Sequence, residues 1–337
     1  MMTVTSPVRV LVVFAALMAA SSLALAQQPS ATASSALTPG TALASDSGHP
    51  LPVFRTRSDE VNVIFTVTDK HNHFIKNLRQ DQFNVLDNNL PPRQILRFEA
   101  ETNMPLRVGL LIDASYSIRD RFLFEQQAAA QFLRQIVRPQ TDKAFVLAFD
   151  DVDKLTQDFT SDQDKLTRGI KAIHPGGGTA VWDAVYYACR AKLLHEHTED
   201  NQTLRKALVV VSDGADNQSR MTRQQAIDMA QHAGVIIYAI STNLSNIHDS
   251  GDHNLKILAE ATGGRAFYPF KLHDLTNAFR SIGEELRSQY AISYKPQQFD
   301  AEGQYRPIQI VAENKKYHVR SKKGYYVPKQ QQLATSN

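Results

Sequence analysis

The chain has 337 residues, 42% of them apolar, with 37 Lys and Arg against 34 Asp and Glu. That length suffices for one large domain or two modest ones, and the near-balanced charge excludes neither fold class but argues against a nucleic-acid binder or a charge-held membrane protein. The single cysteine, Cys189, rules out an intrachain disulfide and, set among Ala184, Val185, Ala188 and Ala191, reads as a small core residue.

Residues 1–26 have the form of a secretory signal. Arg9 supplies a positive charge, Val10 to Leu25 an apolar run, and Ala24-Leu25-Ala26 a small-x-small cleavage site. The run is short for a stable membrane span. The mature protein is therefore expected to be secreted, periplasmic or in the cell envelope, without a stable span after cleavage; an uncleaved N-terminal anchor is the alternative. Residues 27–53 are Ser, Ala, Thr, Gly and Pro with few large apolar side chains, and are expected to form a disordered linker.

Within 54–104, Val61 to Thr68 alternates in a strand pattern, followed by strand signals at Phe83–Leu86 and Gln94–Phe98. From 105 to 290, apolar strands alternate with helices. Strands are expected at Val108–Ile112, Ala144–Phe149, Ala207–Val211, Val235–Ile240 and Ala266–Tyr268, with Leu155–Phe159 making a hairpin with the second. Helices are expected over 122–137, 166–173, 181–194, 223–232, 255–261 and 272–287. Such alternation implies an α/β fold with a doubly wound, mainly parallel sheet covered on both faces. After 290 the chain returns to strand signals through 328, and residues 329–337 are expected to be a disordered tail. The α/β unit is thus expected to be inserted in, or flanked by, a small all-β, sandwich-like domain made of 54–104 and 291–328. Two separate β modules are the alternative.

The strand Val108–Ile112 ends in Asp113, Ser115 and Ser117, a carboxylate and two hydroxyls spaced i, i+2, i+4. Such oxygen donors suit a hard cation such as Mg2+, and two neutral hydroxyls beside one carboxylate leave the ion able to recruit an acidic group from outside. Gly176-Gly177-Gly178-Thr179 places another hydroxyl before a helix, and Val209-Val210-Val211-Ser212-Asp213 delivers a second carboxylate from another strand end. In parallel α/β sheets ligands bind beyond the carboxyl ends of the strands, which is where Asp113 and Asp213 fall.

The ordered set Asp113, Ser115, Ser117, Thr179 and Asp213 resembles the metal-ion-dependent adhesion site (MIDAS) of von Willebrand factor type A (VWA) domains, over residues 105–290. The resemblance implies Mg2+ or Mn2+ at the top of a sheet with one antiparallel edge strand. It implies that Ser115 and Ser117 bind the ion directly, that Asp113 and Asp213 act directly or through water, and that Thr179 joins or leaves the shell with conformational state. It also implies a partner protein that supplies an Asp or Glu, and coupling of the metal site to the last helix. The flanking β segments resemble those of a bacterial group of secreted VWA-containing proteins. Gly178, Asp216 and Asn217 are candidates for the rim of the site.

Other motifs read as bland. Asp150, Asp151 and Asp153 lack the further ligands of an EF-hand and are expected to form a solvated hairpin turn. His195-Glu196-His197 has the wrong spacing for the helical H-E-x-x-H zinc pattern, and the Gly176–Gly178 run lacks the following Lys of a phosphate-binding loop. With no nucleophile or general base placed, the chain is expected not to be an enzyme. A metal-dependent protein-binding module of adhesion type is expected, with no nucleic acid as partner. The alternative is an envelope sensor or assembly component whose last helix relays the state of the metal site to the β domain.

Overall fold

The computed structural model describes residues 60–100, 104–116, 122–197, 204–243, 247–298 and 303–327. The signal, linker and tail read from the sequence lie outside them.

Residues 106–286 build a six-stranded sheet in the order β6-β5-β4-β7-β8-β9. β4 (Leu106–Asp113), β5 (Lys143–Phe149), β7 (Arg205–Ser212), β8 (Val235–Ser241) and β9 (Ala266–Phe267) run parallel, and β6 (Asp153–Thr160) is the antiparallel edge. Alternation along the strands divides their side chains between two cores. Val108, Leu110, Ile112, Val146 and Val209 pack under α1 (Phe122–Ile136), α2 (Gln163–Lys171) and α6 (Leu272–Leu286). Leu111, Phe145, Leu147, Leu208 and Val210 pack under α3 (Val181–Tyr187), α4 (Arg223–Ala233) and α5 (Ser250–Ala261). All eight residues of β4 are buried, as a central parallel strand requires.

Local chemistry sets the helix ends. Asp162 accepts from the backbone of Asp164 and Lys165 to start α2, and Thr222 with Gln225 forms a capping box before α4. Two elements differ from the sequence expectation. The helix expected over 181–194 is α-helical only to Tyr187 and continues as a π-helical turn, Ala188–Leu193, with Leu194 N–H bonded to the Cys189 carbonyl at 2.8 Å. α5 begins at Ser250, five residues before its apolar pattern, because Asp249 caps it through the Asp252 N–H.

The remaining strands form two antiparallel sheets. One has the order β12-β1-β10-β3 and the other β13-β11-β2. Here β1 is Val61–Thr68, β2 Phe83–Asp87, β3 Gln94–Ala100, β10 Gln289–Lys295, β11 Tyr305–Ala312, β12 His318–Ser321 and β13 Gly324–Tyr326. Val63, Phe65, Val67, Phe83, Val85, Tyr290, Ile292, Ile308 and Ile310 join the two sheets in one apolar core. Phe65 stacks on Tyr290 at 5.4 Å and meets Phe83 edge-on at 5.0 Å. Inside that core the Asp87 carboxylate is held by Arg306 at 2.7 Å and by the hydroxyls of Tyr294 and Tyr325, each at 2.9 Å. None of β1, β2 and β3 neighbours another. β1 pairs with β10 and β12, β3 with β10, and β2 with β11. The chain leaves the sandwich after Ala100 and re-enters opposite it, at Tyr290, which is paired with Ala100.

Two buried carboxylates fix α6 at this junction. Glu285 accepts from the Tyr238 hydroxyl at 2.8 Å and pairs with Arg320, which stands on β12 of the sandwich. Asp142 accepts the backbone N–H groups of Leu106 and Arg138, each at 2.9 Å, and pairs with the guanidiniums of Arg138 at 3.0 Å and Arg287 at 2.7 Å. Burial alone would push the Asp142 carboxyl up, but these donors outweigh it and hold it down at about 2.

Candidate metal centre

The parallel register brings the ends of the central strands into line. Asp113 pairs with Phe149, Ile112 with Val211, and Ser212 with Ser241. Beyond that line the Asp113 carboxyl is wholly buried. Its Oδ1 accepts the Ser115 N–H at 2.9 Å and its Oδ2 accepts the Ser212 hydroxyl at 2.6 Å. Burial pushes this carboxyl up to about 6 despite the bonds from Ser212 and Ser115, and the neighbouring Asp213 carboxylate adds to the rise. Asp213 is half-buried, and its Oδ1 accepts the Ala215 N–H at 3.0 Å.

The Gly176–Thr179 loop is bound to the same edge. The Gly176 N–H donates to the Ala114 carbonyl, and the Tyr116 N–H donates to the Gly177 carbonyl at 3.4 Å. Thr179, buried, donates its N–H to Asn217 Oδ1 at 3.0 Å, and its carbonyl accepts the N–H groups of Asn217 at 3.0 Å and Gln218 at 3.1 Å. Three segments thus converge: Asp113–Tyr116, Gly176–Thr179 and Asp213–Gln218. Asp113, Ser115, Thr179 and Asp213 stand on them; Ser117 lies outside the described residues.

The rim candidates brace these loops. Asn217 holds Thr179, as above. Asp216 accepts the Trp182 N–H at 3.3 Å and binds the Ser219 hydroxyl, which itself caps the first turn of α3. Gly178 donates its N–H to Asp151 Oδ1 at 2.6 Å, and a Cβ there would lie 2.6 Å from that oxygen and 2.7 Å from Gln218, so a larger residue would displace the side chains that hold the loop. Behind Asp213, Gly251 in the first turn of α5 is equally crowded: a Cβ would fall 2.2 Å from the Asp213 carbonyl oxygen.

Two features depart from the sequence expectation. The acidic hairpin is only partly solvated: Asp151 and Val152 are exposed, but the turn is bonded into the site. Asp150 is buried, accepting the Val152 N–H at 3.0 Å and Lys154 at 2.8 Å, while Asp151 holds Gly178. The turn is drawn in because the Gly176–Thr179 loop has backbone N–H groups to satisfy. Asp153 beside it is pushed up to about 6 by burial and by the carboxylates of Asp183 and Asp150. Ser212 was not singled out by sequence reasoning, yet it fixes Asp113. The available signal was its place between a fully apolar strand and Asp213.

The donors are all oxygen: two carboxylates and the hydroxyls of Ser115 and Thr179. A buried carboxyl whose charge is opposed by desolvation and by a second carboxylate is a place that a hard divalent cation would relieve. The donor set therefore fits such an ion.

Residues 108–284, more than half of the chain, match the von Willebrand factor type A domain, and the chain belongs to that family. A comparison with curated proteins gives no match. Three solved structures that resemble it in fold can be given. The vWF domain of a type V pilus tip protein from Porphyromonas gingivalis is 15% identical, covering 54% of this chain and 94% of that one, with TM-score 0.45. A von Willebrand factor type A structure from Catenulispora acidiphila is 12% identical, covering 74% of each chain, with TM-score 0.44. Proximal thread matrix protein 1 from the mussel byssus, with its MIDAS motif occupied by zinc, is 16% identical, covering 58% of this chain and 48% of that one, with TM-score 0.46.

Proposed function

We propose that this protein is an exported, metal-dependent protein-binding module of adhesion type. Asp113, Ser115, Ser117, Thr179 and Asp213 hold Mg2+ or Mn2+, and an Asp or Glu of a partner protein completes the shell. The observation that carries this is the buried Asp113 carboxyl, held on both oxygens, with Asp213 beside it and the Thr179 loop bonded to both flanking segments. The bound ion supplies a Lewis-acidic centre for an incoming carboxylate. The protein's own part is to keep the ligands in place before the partner arrives: Ser212 and the Ser115 N–H orient Asp113, and Asn217 orients Thr179. Few carboxylates suit Mg2+, which keeps exchangeable positions for an outside ligand. Residues 1–26 support export by their signal-like pattern, and among the described residues no helix is long and apolar enough to cross a membrane. No described residue is assigned as a catalytic base, and broad phosphatase and esterase screens are expected to be negative. Calorimetric titration should show Mg2+ or Mn2+ binding that Asp113→Ala abolishes. A wild-type protein that binds neither ion at millimolar concentration overturns the proposal.

One observation favours a second role, as an envelope sensor or assembly component. Only Arg287 and Ser288 separate α6 from β10, and Glu285 ties the helix to β12 through Arg320. Movement of α6 would therefore reach the sandwich directly. Hydrogen exchange over 272–294 should then change between metal-free and metal-loaded protein; unchanged protection counts against the relay.

A further inference from the structure

Among the described residues, four large apolar side chains are more than half exposed: Leu123 and Ile247 at 74%, Val152 at 62% and Tyr116 at 60%. All four lie at the carboxyl edge of the parallel sheet. Tyr116 follows β4, Leu123 stands in the first turn of α1, Val152 is in the β5–β6 turn, and Ile247 precedes α5 after β8. Phe270, between β9 and α6, adds a fifth at 41%. The remaining exposed apolar residues are 37–43% exposed and scattered: Leu155 on β6, Tyr187 at the end of α3, Leu90 between β2 and β3, and Tyr305 and Val311 on β11.

The strand order places these side chains on both sides of the β4–β7 pair that carries Asp113 and Asp213. At roughly 4.8 Å between strands, β5 to β9 spans about 19 Å. That is the width of a protein contact rather than of a free carboxylate. The nearby acids are already committed: Asp151 to the Gly178 N–H and Asp216 to Ser219 and Trp182. With the proposed ion bound, the edge would offer outward one cationic centre with apolar side chains on either side.

We infer that Tyr116, Leu123, Val152, Ile247 and Phe270 form an apolar collar around the metal centre, and that the partner is a protein segment carrying one carboxylate between bulky apolar side chains. This rests on the metal-dependent binding proposed above. The charge of the ion selects the carboxylate, and the collar removes the flanking apolar surface from water, which sets affinity and the choice among acidic segments.

The probe is a phage-displayed library of random linear peptides, selected against the Mg2+-loaded full chain. Recovered peptides should carry an Asp or Glu flanked by aliphatic or aromatic residues and should be released by EDTA. Val152→Ser and Ile247→Ser should each weaken the best peptide by about tenfold or more, from the apolar area no longer buried. Both should leave Mn2+ affinity unchanged, and Val311→Ser, on the sandwich, should have no effect. EDTA-sensitive peptides without apolar flanks, or with undiminished binding to the two collar variants, overturn the collar and leave the metal proposal standing. Peptides that bind equally in EDTA and to Asp113→Ala, or a library that yields no Mg2+-dependent binder, overturn both.

Discussion

Ser212 sits behind Asp113 rather than at the metal position, yet it is the hydroxyl that fixes Asp113 Oδ2, and its own oxygen also accepts the Gly214 N–H at 3.0 Å. Without it, Asp113 keeps only the Ser115 side of its cradle, and the turn leading from Asp213 loosens as well. Ser212→Ala should therefore weaken Mn2+ binding by about 10- to 100-fold, the usual effect of removing a group that orients a ligand, while calorimetric unfolding shows a fold that remains intact. Affinity equal to wild type would show that Asp113 needs no such support. The contrast with the other site residues shows what a sequence can reveal. Asp113, Ser115 and Asp213 were legible because each follows a fully apolar strand, and strand ends are where such sheets bind. Ser212 and Asp151 act through partners 99 and 27 residues away, and no local pattern marks those pairings.

α6 is an element pinned at its end. Glu285 and Asp142 are both buried carboxylates facing guanidiniums, and removing one member of such a pair leaves the others charged and unmatched. Glu285→Ala should lower stability by about 3 kcal/mol or more in urea unfolding; a change within the scatter of surface substitutions would mean that Arg320, and Arg265 at 3.5 Å from the other carboxylate oxygen, find solvent at no cost. Asp142 predicts a pH dependence. Its carboxyl is shifted from 3.8 to about 2, so the folded state binds this proton less readily than the unfolded chain. The stabilisation, of order 2 kcal/mol, is present above about pH 4 and is lost as pH falls from there toward 2. Asp142→Asn should be less stable than wild type at neutral pH and should flatten the acid limb. Parallel acid limbs for the two proteins would refute the assignment. Apolar periodicity located α6 and most other elements, but not this pinning. The early start of α5 and the π-helical end of α3 also escaped it, since they depend on the Asp249 cap and on an i+5 bond rather than on apolar spacing.

For the whole molecule, the decisive fact is that β1, β2 and β3 find every strand partner beyond residue 288. Among the described residues, a fragment of 54–104 holds β1, β2 and β3, none of which pairs with another, and it should be unfolded by circular dichroism. Mixing it with a fragment that begins at β10 should restore strand signal, because the shared core of Phe65, Phe83, Tyr290 and Ile310 can then close. A stably folded 54–104 fragment would contradict the pairing. The return of strand signals after residue 290 made this division legible, since a three-strand segment too small to bury a core must borrow its neighbours. The pairing of Ala100 with Tyr290 has a further meaning. Paired antiparallel residues lie about 5 Å apart, so the metal-bearing unit enters and leaves the scaffold through one narrow neck, as the loop of a hairpin does. Another head could be mounted there only if its two ends met as closely and it also matched Arg320, which Glu285 now satisfies across the junction.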